Sequence, residues 1–302
     1  MAALTQRLQA LRAHPRFALA VRLGGWVLVA ASALFLALVA ARHWDELGGI
    51  ALTGRQWATM AGLVLLYGAA LFLLGLAWHA VLLALGAQPY SLAHSVRSHT
   101  SAQLAKYVPG NVFHLVGRHM LQRSRGGSDD RRLALATLSE ALMLVLAAAC
   151  IAAVCLALGS DGQVQRLCIA ILAALLGGSA LAAWRAQSRG LQPAPALGAF
   201  AAMLAFFSVM AAVLVALGDM IGLGRSPALA GGGVAAWIAG FLTPGAPGGL
   251  GIREAAMVIV GAGASADKLL MLGVLLRVVT FGGDLVCAVA GRALPVAPHP
   301  HI

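Results

Sequence analysis

Charge is scarce in this sequence. Only 10% of its 302 residues are charged, against 61% hydrophobic, and the mean hydropathy is +0.88. A soluble globular domain carries about a quarter of its residues as charges, so that class is excluded. Acids are the scarcest group, with 10 Asp and Glu against 21 Lys and Arg. A net charge of +11 would suit nucleic acid, but its distribution does not. Most of the basic residues fall in the N-terminal tail, in the connections at 86–132 and 185–189, and at the C-terminus. Only Arg42, Arg55, Arg166, Arg225 and Lys268 lie in the alternate connections. That alternation is the positive-inside bias of a multi-pass membrane protein with both termini cytoplasmic. The basic stretch before the first apolar run reads as the flank of a retained signal-anchor helix.

Cysteine is also sparse. Cys150, Cys155, Cys168 and Cys287 sit inside apolar runs without ligand spacing, which excludes a disulfide framework and reads as packing. His94, His99, His114 and His119 recur every five residues and so do not stack on one helical face, and no metal site or cofactor is expected. No nucleophile stands beside a base, which argues against an enzyme.

Long apolar runs are what the sequence has in abundance. Spans are expected at about 21–41, 57–85, 133–158, 164–184, 196–218 and 268–291. Two stretches between them are apolar yet broken. In Phe241-Leu242-Thr243-Pro244-Gly245-Ala246-Pro247-Gly248-Gly249-Leu250-Gly251-Ile252-Arg253-Glu254 the prolines remove amide donors and the glycines free the backbone, so a helix stops and restarts. The flanking half-helices, about 228–242 and 250–262, are each too short to cross a ~30 Å core. Around Tyr107-Val108-Pro109-Gly110-Asn111 lies a second such pair, about 91–106 and 111–123, rich in polar groups including Lys106. By composition alone, 91–123 reads equally as surface amphipathic helices or as a re-entrant hairpin.

The order is span, span, broken pair, span, and then the same again. This predicts an all-α polytopic membrane protein of about six transmembrane helices plus two re-entrant broken-helix pairs in an inverted repeat. The chain forms one transmembrane domain over 1–302, with repeat units at about 21–158 and 164–291. Irregular backbone at membrane depth is tolerated where it lines a cavity.

Candidate site residues follow from charge at that depth. Arg253 and Glu254 open a helix just after Gly248 and Gly249, where free amides and a guanidinium suit an anion. Asn111, His114 and Arg118 share one face after the other break and read either as a second half of a substrate-binding site or as a solvated interfacial face. Arg277, Thr280 and Asp284 lie on one face of the last span, and Glu140 lies two turns into the third. Facing lipid, Glu140, Arg253, Glu254, Arg277 and Asp284 would cost roughly 12 to 18 kcal/mol together, so they face one another or water. With Tyr107, Pro109, Gly110 and Pro247 they are read as lining or gating a path. An Arg277 pair with Glu140 or Asp284 that merely fixes packing is the alternative.

Two of these motifs resemble a known family. Tyr107-Val108-Pro109-Gly110-Asn111 with Arg118 seven residues after Asn111, and Pro247-Gly248-Gly249-Leu250-Gly251-Ile252-Arg253-Glu254, are similar to paired signatures of the lysylphosphatidylglycerol synthase transmembrane-region family, which includes the flippase domain of the multiple peptide resistance factor. The resemblance covers essentially the whole chain. It implies a flippase in a bacterial inner (plasma) membrane, moving an anionic-headgroup, aminoacylated or polyprenyl-phosphate-linked lipid between leaflets. It also favours the re-entrant reading of 91–123. Only 292–302 follow the last span, so the synthase activity of full-length members is not expected. The implied partners are phosphate-bearing membrane lipids. Two alternatives stay open: a non-transporting scaffold for an envelope-lipid biosynthesis enzyme, and a transporter of a small soluble anion.

Overall fold

A computed structural model describes residues 53–87, 90–107, 113–123, 129–188, 193–243, 249, 251–260 and 264–295. Among them are nine α-helices and no strand. They are α1 (Gly54–Ala84), α2 (Leu92–Ala102), α3 (Phe113–Arg123), α4 (Asp130–Leu158), α5 (Gly162–Ser188), α6 (Ala194–Met220), α7 (Pro227–Leu242), α8 (Ile252–Val260) and α9 (Ala266–Arg292). A 3₁₀ turn, Gln103–Tyr107, prolongs α2. Five helices, α1, α4, α5, α6 and α9, are long and apolar enough to cross a membrane, and the molecule is an all-α, multi-pass membrane protein. The span expected at 21–41 lies outside the described residues.

Local chemistry sets the ends. Thr53 and Gln56 close a capping box that starts α1 at Gly54, earlier than hydropathy places it. Ser91, Asp129 and Ser226 cap α2, α4 and α7 through their side chains, and Pro227 occupies the first turn of α7. The second broken segment restarts later than expected, at Ile252, because Gly249 and Gly251 hold φ of 72° and 79°. Instead of one helix over 91–106, the α-helix stops at Ala102 and the chain tightens into the 3₁₀ turn.

Helices α1 and α6 run antiparallel through the centre. Gln56 Nε2 donates to Met220 O at 3.3 Å at one end, and the Tyr67 and Phe206 rings meet at 5.7 Å nearer the middle. Both helices end in the same way. After α1, Ala87 N–H donates to Leu82 O and Gly86 N–H to Leu83 O; after α6, Leu223 N–H donates to Gly218 O and Gly222 N–H to Asp219 O. These are two Schellman motifs, with Gly86 and Gly222 at φ of 61° and 76°. Each glycine carbonyl then accepts from a base exactly as far along the chain in both cases: Arg132, the third residue of α4, reaches Gly86 O at 2.8 Å, and Lys268, the third residue of α9, reaches Gly222 O at 3.5 Å, each 46 residues on. The segments carrying α2 and α3 and carrying α7 and α8 therefore each lie between a glycine end and the base that meets it.

Helices α2 and α7 pack beside long helices. Arg97 bonds Leu294 O at 3.5 Å and Lys106 reaches Asp284, so α2 descends antiparallel along the C-terminal half of α9. Likewise Gly231 of α7 lies against Leu156 and Ala152 of α4. Where α1 crosses α9 the backbones nearly touch: a Cβ on Gly283 would lie 2.6 Å from Tyr67 Cδ1 and 2.9 Å from Gly68 N. Small residues at such crossings let packing hold helices together where lipid offers no hydrophobic drive. Gly283→Val is accordingly expected to cost about 1–3 kcal/mol in an unfolding titration in detergent.

Candidate anion site

Three ion pairs neutralise most of the charge buried in this apolar bundle. Arg118 of α3 forks onto Glu140 of α4, with Nη1 donating to Oε1 at 2.6 Å and Nη2 to Oε2. Its guanidinium lies over Trp78 of α1, 3.8 Å from the ring centroid. Nη1 also lies 2.9 Å from His99 Nδ1, and the other ring nitrogen, Nε2, lies 2.7 Å from Gln103 Nε2. Arg277 of α9 forks onto Glu254 of α8, with Nε to Oε1 at 2.8 Å and Nη2 to Oε2 at 3.4 Å, and donates to Gly249 O at 2.9 Å. Asp284, fully buried, receives Lys106 Nζ at 2.7 Å from each carboxylate oxygen and the Tyr107 hydroxyl at 2.6 Å.

Arg253 is different. Among the described residues no acid pairs with it, and its buried Nε has no hydrogen-bond partner. Its side chain runs through a slot between two glycines. A Cβ on Gly240 would lie 2.6 Å from Arg253 Cγ, and one on Gly249 2.7 Å from its Nε. Beyond the slot the guanidinium reaches the ring of Trp237, 5.6 Å from the centroid. Trp237 belongs to an aromatic row in which Phe206, Phe207, Trp237 and Phe241 meet ring to ring at 5.1, 4.8 and 5.0 Å.

Arg253 and Arg118, from opposite broken segments, line one cavity of about 70 Å³ together with Lys106, His114 and Glu140, backed by Tyr67, Phe206, Trp237 and Phe241. His114 Nδ1 and Arg118 Nε are also buried without hydrogen-bond partners among the described residues. The wall holds more cationic donors than its single carboxylate uses, which is a setting for an anion.

The cavity lies between levels deep along α9. At 1.5 Å per residue, Arg277, beside Gly249, is roughly 16 Å from the N-terminal end of that helix, and Asp284, beside Tyr107, roughly 12 Å from its C-terminal end.

Of the residues singled out in the sequence, His114, Arg118, Glu140 and Arg253 come together around this cavity. Arg253 and Glu254, expected to act as one anion site, diverge: consecutive helical residues point about 100° apart, and Glu254 is taken by Arg277. Arg277 pairs with neither Glu140 nor Asp284, which are engaged elsewhere. Thr280 turns back to Arg277 O at 3.3 Å on its own helix. Tyr107 and Gly249 touch Asp284 and Arg277 respectively. Pro109, Gly110, Asn111, Pro247 and Gly248 lie outside the described residues.

Sequence reading missed Lys106, His99, Gln103, Trp78 and Trp237 as parts of the site. One signal was available: Pro109-Gly110 precedes Arg118 at the same spacing as Pro244-Gly245 precedes Arg253. That alignment marks the two arginines as counterparts and picks Pro244 rather than Pro247 as the matching proline.

In comparisons with known proteins, no family model, curated protein or solved structure matches the chain.

Proposed function

We propose that the protein transports a lipid bearing an anionic phosphate headgroup between membrane leaflets, as the resemblance of its paired motifs implies. The observation that carries this reading is the Arg253 guanidinium, which has no acid partner among the described residues and lines a cavity that Arg118 enters from the other broken segment. A cation placed in an apolar bundle at that cost is a functional group by default. The matched glycine ends and the matched bases support two re-entrant pairs in an inverted repeat, with the cavity at the repeat interface. A headgroup phosphate would leave one set of donors for the other on its way across, while the aromatic row flanks the acyl or polyprenyl chain. The basic connections beside α2 and α3 support a cytoplasmic side for that pair, in a bacterial inner membrane.

A small soluble anion is the second reading, because a cavity of about 70 Å³ holds a phosphate group without any chain. Purified protein in liposomes separates the two. Leaflet exchange of a fluorescent phosphate-bearing lipid, faster than in protein-free vesicles, supports lipid transport. Uptake of phosphate without lipid exchange supports the soluble anion. Neither activity removes transport and leaves the scaffold.

A further inference from the structure

Lys106 belongs to two assemblies at once. It lines the cavity beside Arg118, His114 and Arg253, while its ammonium bridges both oxygens of Asp284. The other two pairs, Arg118 with Glu140 and Arg277 with Glu254, each lie within one half of the chain. Lys106 with Asp284 joins the first half to the last helix across 178 residues. Building on the anion-transport reading, we propose that Lys106 is a further ligand of the anion, held in reserve on Asp284, and that its transfer to the anion releases α2 from α9.

Three features carry this. Arg118 and Arg277 are fixed in bidentate forks, whereas lysine is a point charge on a flexible four-carbon stem and can exchange partners by rotation. Its side chain is 20% exposed and lines the cavity, while Asp284 is fully buried. Asp284 also keeps a donor after the exchange, because the Tyr107 hydroxyl remains on Oδ2 at 2.6 Å. Leaving a buried carboxylate with a hydroxyl alone is unfavourable, so the latch holds while the cavity is empty and opens when an anion offers Lys106 a replacement. The device is one-sided. Three residues before Pro109 stands Lys106; three before Pro244 stands Phe241, stacked on Trp237.

The test is calorimetric titration of the detergent-purified full chain with two probes, inorganic phosphate and dihexanoyl phosphatidylglycerol. Lys106→Gln is expected to weaken binding about tenfold, the scale of one charge-assisted contact. Asp284→Asn is expected to tighten it about tenfold, because the lysine is no longer sequestered, and the double variant to match Lys106→Gln alone. A pair with only a structural role predicts the opposite for Asp284→Asn, and weaker binding there, or effects that simply add, overturns the proposal. Should Asp284→Asn not fold, Tyr107→Phe decides. Removing the second donor should hold Lys106 on Asp284 and weaken binding several-fold, and unchanged affinity overturns the exchange. Binding that needs Arg253 but not Lys106 removes this step and leaves the transport reading intact. If the wild type binds neither probe, both fall. Binding of phosphatidylglycerol identifies a lipid as the source of the anion, and binding of phosphate alone a soluble one.

Discussion

Arg253→Ala is expected to lower anion binding and translocation by about a hundredfold while leaving the fold intact. A guanidinium meeting phosphate makes charge-assisted, often bidentate, bonds of about 1.5–3 kcal/mol each, and two of them at the lower end of that range account for a factor of that size. Stability should move by no more than about 1 kcal/mol, because among the described residues no acid loses its partner: Glu254, the adjacent residue, is held by Arg277. Gly240→Ala should reproduce much of the transport defect, since the added methyl closes the slot through which Arg253 passes. In an Arg253→Ala background the same glycine change should add little. Translocation assays and detergent unfolding titrations on the four proteins check both halves.

Glu140→Ala is expected to do the reverse and damage the fold first. It would leave Arg118, itself 3% exposed, with His99 and the Trp78 face but no carboxylate. Removing one member of a buried pair costs about 3–5 kcal/mol, because the remaining charge stays uncompensated. Replacing both, Arg118→Met with Glu140→Leu, should recover most of that stability, since apolar residues of similar size cost little in place of a buried ion pair. Transport should stay lost, because the cavity then has one arginine instead of two. Stability that separates from transport in this way assigns Glu140 to holding Arg118 and Arg118 to the anion.

The spans were legible because hydropathy over some twenty residues depends on no partner. The breaks were legible because proline and glycine act on their own backbone. Pairing was not. In the sequence Arg277 was read against Glu140 or Asp284, and its pairing with Glu254 rests on α8 meeting α9 beside Gly249, a contact that hydropathy does not encode. Lys106 read as one polar residue in a polar stretch, since nothing local tells that Asp284, 178 residues away, closes on it. Trp237 read as an ordinary member of an apolar half-helix. Its role as a platform for Arg253 depends on two glycines, Gly240 and Gly249, lying against each other in space. Arg253 and Glu140 stood out because a charge within an apolar run needs a reason wherever its partner lies, and Arg118 because it shares a helical face with Asn111 and His114 after the Pro109-Gly110 break.

The measurement that bears most directly on the central claim is mass spectrometry of the lipids that co-purify with the wild type and with Arg253→Ala from the same native membranes. The anion site predicts one phosphate-bearing lipid class enriched over the bulk membrane on the wild type and lost from the variant. Identical bulk lipid on both proteins would contradict it.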